Sequence, residues 1–217
     1  MKSKDIFIEK NSIAYELIDG YDYPYEVLDK INDYILKKGE TLGEDFVCMN
    51  GNIWIHKTAK ISDNAEILGP AIIDEGAQIK HCAYLRENVI IGKNSRIGNS
   101  CEIKNSIIFD EVQVPHFNYV GDSILGYRSH LGAGVILSNV RSDKKNIVID
   151  KKYETNRKKV GSFLGDYVEV GCNCVLNPGC VVMNNSSIYP LTSVGGIIPK
   201  NCIVKDMNTI VLKEKRD

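Results

Sequence analysis

No apolar run in the 217 residues exceeds a few positions, Gly195-Gly196-Ile197-Ile198 being typical. Nothing approaches the roughly 20 residues that cross a bilayer, and no membrane partner is expected. The stretch from Met1 to Ser12 is interrupted by Lys and acidic residues and holds no signal-peptide core. An excess of either charge is also missing: 27 Lys+Arg stand against 28 Asp+Glu, a net charge of −1. That balance removes the whole-molecule argument for a nucleic-acid or anionic-membrane partner. The cysteines number seven, an odd count, with no CxxC pair. A secreted disulfide framework is therefore not expected, and a reducing cytoplasm is the expected location. What remains, 43% hydrophobic and 25% charged residues, is ordinary globular composition. The length fits one domain, or one domain and a small extra.

A period is present instead. Stepping six residues from Ile55 gives Ile61, Ile67, Ile73, Ile79, Leu85, Ile91, Ile97, Ile103 and Phe109, all large and apolar. Four residues after each stands something mostly small, as at Ala59, Ala65, Ala71, Ala77 and Ala83. The register slips, resumes over Tyr119, Leu125, Leu131 and Leu137, breaks again, and resumes from Leu164 to Val194. Twenty hexads result. A period of six fits neither a helix nor strict strand alternation. It fits a parallel β-helix, in which each hexad makes one short strand and one corner. Large residues fill the tube, small ones turn inward, and Gly and Asn collect at corners where positive φ is cheap for them.

The expected organisation is an N-terminal helical cap or linker over residues 1–50 and a β-helix over 51–205. A loop is inserted at 138–160, and 206–217 form an exposed C-terminal tail. The first 50 residues carry 6 Lys against 11 acids. Asp22 and Pro24 signal a helix start. Val27, Leu28, Ile31, Tyr34 and Ile35 then share one face up to Gly39. A solenoid exposes core at its open end, so this helix is expected to cap it, with Trp54 as a contact on the first coil. The inserted loop carries 8 Lys+Arg against 3 acids. It reads either as a solvated loop or as an arm that meets phosphate-bearing ligands. Alternation at Ile147-Val148-Ile149, followed by Tyr153, fits a short hairpin. Cys101, Cys174 and Cys180 occupy the small inward position and read as core.

Of four histidines, His116 stands out because it falls where the hexads slip, and irregular backbone commonly hosts function. Lys104 precedes it by twelve residues, and Arg86 precedes Lys104 by eighteen, one full coil. Two stacked cations beside a histidine would hold an anion such as a sugar phosphate. They would also disfavour imidazolium and leave His116 a base. The competing reading is cations snorkelling on a solvated face.

The repeat [Ile/Leu/Val]-x-x-x-x-small resembles that of the hexapeptide acyltransferases, which implies a left-handed parallel β-helix. A longer run, Val114-Pro115-His116-Phe117-Asn118-Tyr119-Val120-Gly121-Asp122-Ser123, is followed by Leu131-Gly132-Ala133-Gly134 and Asn139. With Tyr84-Leu85-Arg86 and Gly98-Asn99-Ser100-Cys101-Glu102-Ile103-Lys104, it resembles the acetyltransferase half of a bifunctional family. That family is glucosamine-1-phosphate N-acetyltransferase / N-acetylglucosamine-1-phosphate uridyltransferase, here in its archaeal type, and the resemblance runs from about residue 22 to 205.

The resemblance implies an enzyme that moves acetyl from acetyl-CoA to the amine of glucosamine-1-phosphate, in amino-sugar nucleotide (UDP-N-acetylglucosamine) biosynthesis, with no metal required. His116 would be the general base, and Arg86 and Lys104 would hold the phosphate. Tyr119 and Asn139 would bond the sugar, and Lys145 would reach in from the loop. The Ala133 N–H would face the acetyl carbonyl. Acetyl-CoA would lie near Asp166 in a groove between subunits of a homotrimer. His130 stands where bacterial members have Asn, which offers a second base or a different acceptor. The family's uridyltransferase domain and its Gly-rich loop are missing from these residues, so no nucleotidyl transfer is expected from this chain alone. Two other classes stay open: an acyltransferase with another amine or hydroxyl acceptor, and a non-catalytic subunit partnering a sugar nucleotidyltransferase.

Overall fold

The computed structural model describes residues 1–50, 52–206 and 208–213. From Ile53 onward the chain winds through about eight turns of a left-handed parallel β-helix with three walls. The first wall runs from Ile53–His56 through Ala71–Ile73, Val89–Ile91, Ser106–Ile108, Ile124–Leu125, Ser162–Leu164 and Cys180–Val182 to Ile197–Ile198. The second includes Arg96–Asn99, Gln113–His116, His130–Leu131 and Glu169–Val170. The third includes Tyr84–Leu85, Glu102–Lys104, Tyr119–Gly121, Ile136–Leu137 and Val175–Leu176. Each hexad supplies one strand, and the inward ladder of Ile, Leu and Val is buried from Ile73 onward, with Ile55, Ile61 and Ile67 on the first coil half-buried. Each such side chain is worth ~1.5–3 kcal/mol of burial, which a single coil could not collect alone.

The hexad register differs from the sequence reading in one respect that matters for the site. Ile108, not Phe109, stands between Ile91 and Leu125 on the first wall. Val114 pairs with Ile97, and Val120, not Tyr119, pairs with Ile103. The coils therefore shorten by one residue at Lys104-Asn105-Ser106 and again at Gly121-Asp122-Ser123, the corners joining the third wall to the first. His116 sits in regular hexads, and the slip is not at His116. The displaced register turns Tyr119 outward, freeing its hydroxyl.

The N-terminal segment also lies elsewhere than expected. It does not close the end of the tube but covers the outer face of the first wall. Outward residues Trp54, Ile72, Ile90, Ile107, Ile124 and Phe163 are buried beneath it. Helix Ile31–Gly39 presses Gly39 onto Trp54, so close that a Cβ on Gly39 would meet the indole at 2.3 Å. Further along, Phe7 packs on Phe109, and the Asn184 amide donates to the Ile6 carbonyl at 2.7 Å. An antiparallel strand, Phe46–Met49, flanks the first wall at its N-terminal edge. The expected tail instead forms a hairpin on the second wall, Cys202–Asp206 with Thr209–Leu212, as far as the described residues go; 214–217 lie outside them.

The inserted loop leaves after Ile136–Leu137 and returns at Ser162. Its neck is closed by the Val140–Lys159 bridge and by the Val160 N–H on the Asn139 carbonyl at 3.0 Å. The expected hairpin forms, Val148–Ile149 against Tyr153–Glu154. Ile147 and Ile149 are buried, Arg157 is ion-paired with Asp29, and Tyr153 packs on Tyr23. The loop is thus tied to the N-terminal segment, while 141–146 and 150–152 stand exposed to solvent. All seven cysteines are free, with Cys101, Cys174, Cys180 and Cys202 buried. Burial pushes the Cys180 thiol up to about 12. No helix among the described residues is long and apolar enough to cross a membrane.

Candidate functional site

Arg86 and Lys104 emerge from the same edge of the third wall on adjacent coils, as their eighteen-residue spacing requires. Neither cation is unopposed. Arg86 Nη1 donates to Glu102 Oε1 at 3.1 Å, which raises its already high pKa. Lys104 Nζ lies 3.9 Å from Asp122 Oδ2, with only 20% and 7% of the two side chains exposed. Tyr119 stands on the next coil of the same wall, in register with Glu102. Its hydroxyl accepts from Asn139 Nδ2 at 3.1 Å, and the same nitrogen donates to Asp122 Oδ2 at 2.6 Å. Burial lifts the Tyr119 phenol above its usual value, so it stays protonated and can donate a hydrogen bond. Lys104, Tyr119, Asn139 and Asp122 are thus one connected polar cluster.

His116 occupies the opposite margin of this wall, at the corner where the second wall turns into the third. Its imidazole is exposed and makes no hydrogen bond with the described residues. The third wall is only two to three strand residues wide, roughly 10 Å at ~3.3 Å per residue. The histidine corner and the Arg86–Lys104 edge are thus the two margins of one wall. On the coil above, the Gly134 N–H donates to the His116 carbonyl at 2.9 Å. The neighbouring Ala133 N–H makes no backbone hydrogen bond among the described residues.

Three expected site residues are not brought to this wall. His130 projects from the second wall, where its Nδ1 lies 2.8 Å from Glu169 Oε2. Asp166 lies at the corner between the first and second walls and is fully buried. Its oxygens accept backbone N–H groups from Ile8, Glu9 and Tyr127 at 2.8, 2.9 and 2.9 Å. A carboxylate so enclosed cannot face a cofactor, and Asp166 is corrected from cofactor ligand to a latch for the N-terminal segment. Lys145 stands on the exposed loop tip beside the Arg141–Asp143 ion pair. It makes no ion pair with the wall among the described residues. The sequence reading missed Glu102, Asp122 and Glu169. Asp122 carried a signal: Asn88, Asn105, Asp122 and Asn139 recur every 17 residues.

Residues 67–198, more than half of the chain, match the family model described as the GMPPB C-terminal domain. The chain belongs to this family. Beyond it, the chain is 34% identical to a protein named "Bifunctional protein GlmU" from Methanococcus aeolicus, over 96% of this chain and 53% of that protein. It is 35% identical to a protein of the same name from Methanocaldococcus jannaschii, over 88% of this chain and 48% of that one. Among solved structures, AntD, an N-acyltransferase from Bacillus cereus, is similar at 19% identity over 83% of this chain and 88% of that one, with a TM-score of 0.38. The chain spans about half the length of the curated relatives it matches.

Proposed function

We propose that the chain is an acetyl-CoA-dependent N-acetyltransferase that converts glucosamine-1-phosphate to N-acetylglucosamine-1-phosphate. The observation that carries this reading is the third wall itself: a half-buried Lys–Tyr–Asn–Asp cluster at one margin and an exposed, unengaged imidazole at the other. Lys104 and Arg86 meet the phosphate, exchanging part of their contact with Asp122 and Glu102 for the ligand's charge. Tyr119 and Asn139 bond the sugar hydroxyls. His116 accepts the proton as the sugar amine attacks the thioester carbonyl. The Ala133 N–H meets the oxygen on which negative charge develops, and coenzyme A thiolate leaves. The similarity to proteins named GlmU supports the substrate class.

The corner that carries His116 also carries Phe117 and Leu191, 62% and 80% exposed. Phe117 adjoins His116 and Leu191 lies three coils further along the same corner, and solvated apolar side chains along one edge suit a face closed by a second copy. A homotrimer, with acetyl-CoA in the groove between copies, is the arrangement proposed. The test is an acceptor panel with isotopically labelled acetyl-CoA: glucosamine-1-phosphate, galactosamine-1-phosphate, glucosamine without phosphate, and N-acetylglucosamine-1-phosphate. Label should enter glucosamine-1-phosphate at its nitrogen and spare the already acetylated sugar.

A second reading is favoured by one observation, the His130–Glu169 pair. A carboxylate on Nδ1 leaves Nε2 facing outward as a base, which would suit an acyl acceptor held against the second wall. Labelling of a different amine or of a hydroxyl in the same panel, abolished by His130→Ala and not by His116→Ala, would select it.

A further inference from the structure

Asn88, Asn105, Asp122 and Asn139 occupy successive turns of the corner between the third and first walls, and their side chains are joined. Asn32 Nδ2, from the N-terminal helix, donates to Asn88 Oδ1 at 2.8 Å. Asn88 Nδ2 donates to Asn105 Oδ1 at 3.4 Å, and Asn105 Nδ2 to Asp122 Oδ1 at 2.8 Å. From the other side, Asn139 Nδ2 donates to Asp122 Oδ2 at 2.6 Å. Every amide in the row turns its N–H₂ toward Asp122. An amide can face either way, but a carboxylate accepts only. Asp122 therefore fixes the direction of the row from both sides.

The consequence reaches the ligand-binding wall. The second hydrogen of Asn139 Nδ2 goes to Tyr119 Oη at 3.1 Å, so both of its donors are spent and Oδ1 is left to accept. Tyr119 accepts from Asn139 and keeps its own hydrogen to give. Lys104 Nζ stands 3.9 Å from the same Asp122 oxygen that holds Asn139.

We infer that Asp122 is a positioning residue that sets the hydrogen-bond polarity of the third wall: Asn139 presents an acceptor, Tyr119 a donor, and Lys104 a cation beside them. The inference rests on the reading of this wall as a sugar-phosphate site. It deepens that reading by stating which ligand fits: one with a hydroxyl hydrogen for Asn139, an oxygen acceptor for Tyr119 and an anion for Lys104. Neighbouring hydroxyls on a phosphorylated sugar supply that set.

The test is Asp122→Asn, which keeps the shape and turns one oxygen into N–H₂. Two donors then face each other, and Asn139, at the free end of the row, turns over more readily than Asn105, which is tied to Asn88 and Asn32. The KM for glucosamine-1-phosphate should rise about tenfold or more, while the KM for acetyl-CoA and the melting temperature stay near those of the parent. An unchanged sugar-phosphate KM, or a rise in both KM values together, overturns the inference. A second measurement needs no activity: the Asn139 side-chain amide signals of the parent chain by NMR, assigned by their loss in Asn139→Asp. Both hydrogens should be protected from exchange with water. Exposed-amide exchange overturns the positioning role even if the chain acetylates sugar phosphates. Protection in a chain that acetylates none sinks the functional reading and leaves the role of Asp122 standing.

Discussion

The carboxylate of Asp166 accepts the backbone N–H groups of Ile8 and Glu9, 157 and more residues away in sequence, at 2.8 and 2.9 Å. It also accepts the Tyr127 N–H at 2.9 Å over Gly126, where a Cβ would lie 2.6 Å from the same oxygen. One buried side chain thus ties the N-terminal segment to two coils of the tube. Asp166→Ala leaves three donors without their acceptor and should cost about 2–4 kcal/mol in denaturant unfolding. The KM for acetyl-CoA should not change in the folded fraction. A raised KM at unchanged stability would return Asp166 to the cofactor site.

His116 is exposed and makes no hydrogen bond with the described residues, so its removal should leave the fold alone. His116→Ala is expected to lower kcat by ~10²–10⁴, the usual worth of a positioned base, with an unchanged melting temperature. His56, which bonds Thr58 on the first coil, is the control. Equal losses for His116→Ala and His56→Ala would remove the assignment.

Phe117 and Leu191 have φ of 52° and 62°, a region that favours Asn over bulky side chains. Evolutionary accounts aside, such residues there are strained in the isolated chain. Replacing both by Asn should raise the stability of the separated chain, by a few tenths to ~1 kcal/mol, and weaken its self-association. Light scattering should give a mass near three chains for the parent and a smaller one for the double variant. A parent that scatters as a single chain contradicts the proposed groove.

Burial lifts Asp74 above the ordinary carboxylate value, and its Oδ2 has no hydrogen-bond partner among the described residues. The folded chain therefore binds this proton more tightly than the unfolded chain. Between the unfolded value near 3.9 and the raised folded one, Asp74 removes stability as pH rises. Above the folded value the whole penalty is present. Asp74→Asn keeps Oδ1 for the Glu75 N–H, 2.7 Å away, and has no charge to bury. It should be more stable than the parent at about pH 7, with the advantage fading toward about pH 4. Denaturant titrations at both values check the sign, and an advantage independent of pH contradicts it.

The tube was legible because one inward position in six must be large and apolar, a demand that Ile61, Ile79 and Ile97 meet without exception. The hairpin after Ile147 was legible from alternation. Less visible was the outward stripe Trp54, Ile72, Ile90, Ile107, Ile124 and Phe163. It is as apolar as the inward ladder, so a reading of every sixth residue could not tell that a second layer covers it. The helix face of Val27, Leu28, Ile31 and Ile35 fits a wall or an end equally well, and the contacts of Gly39 with Trp54 and of Asn32 with Asn88 select the wall. Arg86 and Lys104 share a face because a coil of 18 residues fixes it. The next two coils have 17 each, shortened at the corners of Asn105 and of Asp122 rather than at His116. Such a deletion is silent in composition and shows only when strands are paired.

The central claim is that the third wall binds an anionic amino sugar and hands its proton to His116. Its most direct test is the initial rate of thiol release from acetyl-CoA by the purified chain, with and without saturating glucosamine-1-phosphate. The account predicts release that depends on the sugar phosphate, saturates with it, and collapses in Lys104→Ala through a raised KM. Release that stays at background with the sugar phosphate present would contradict it.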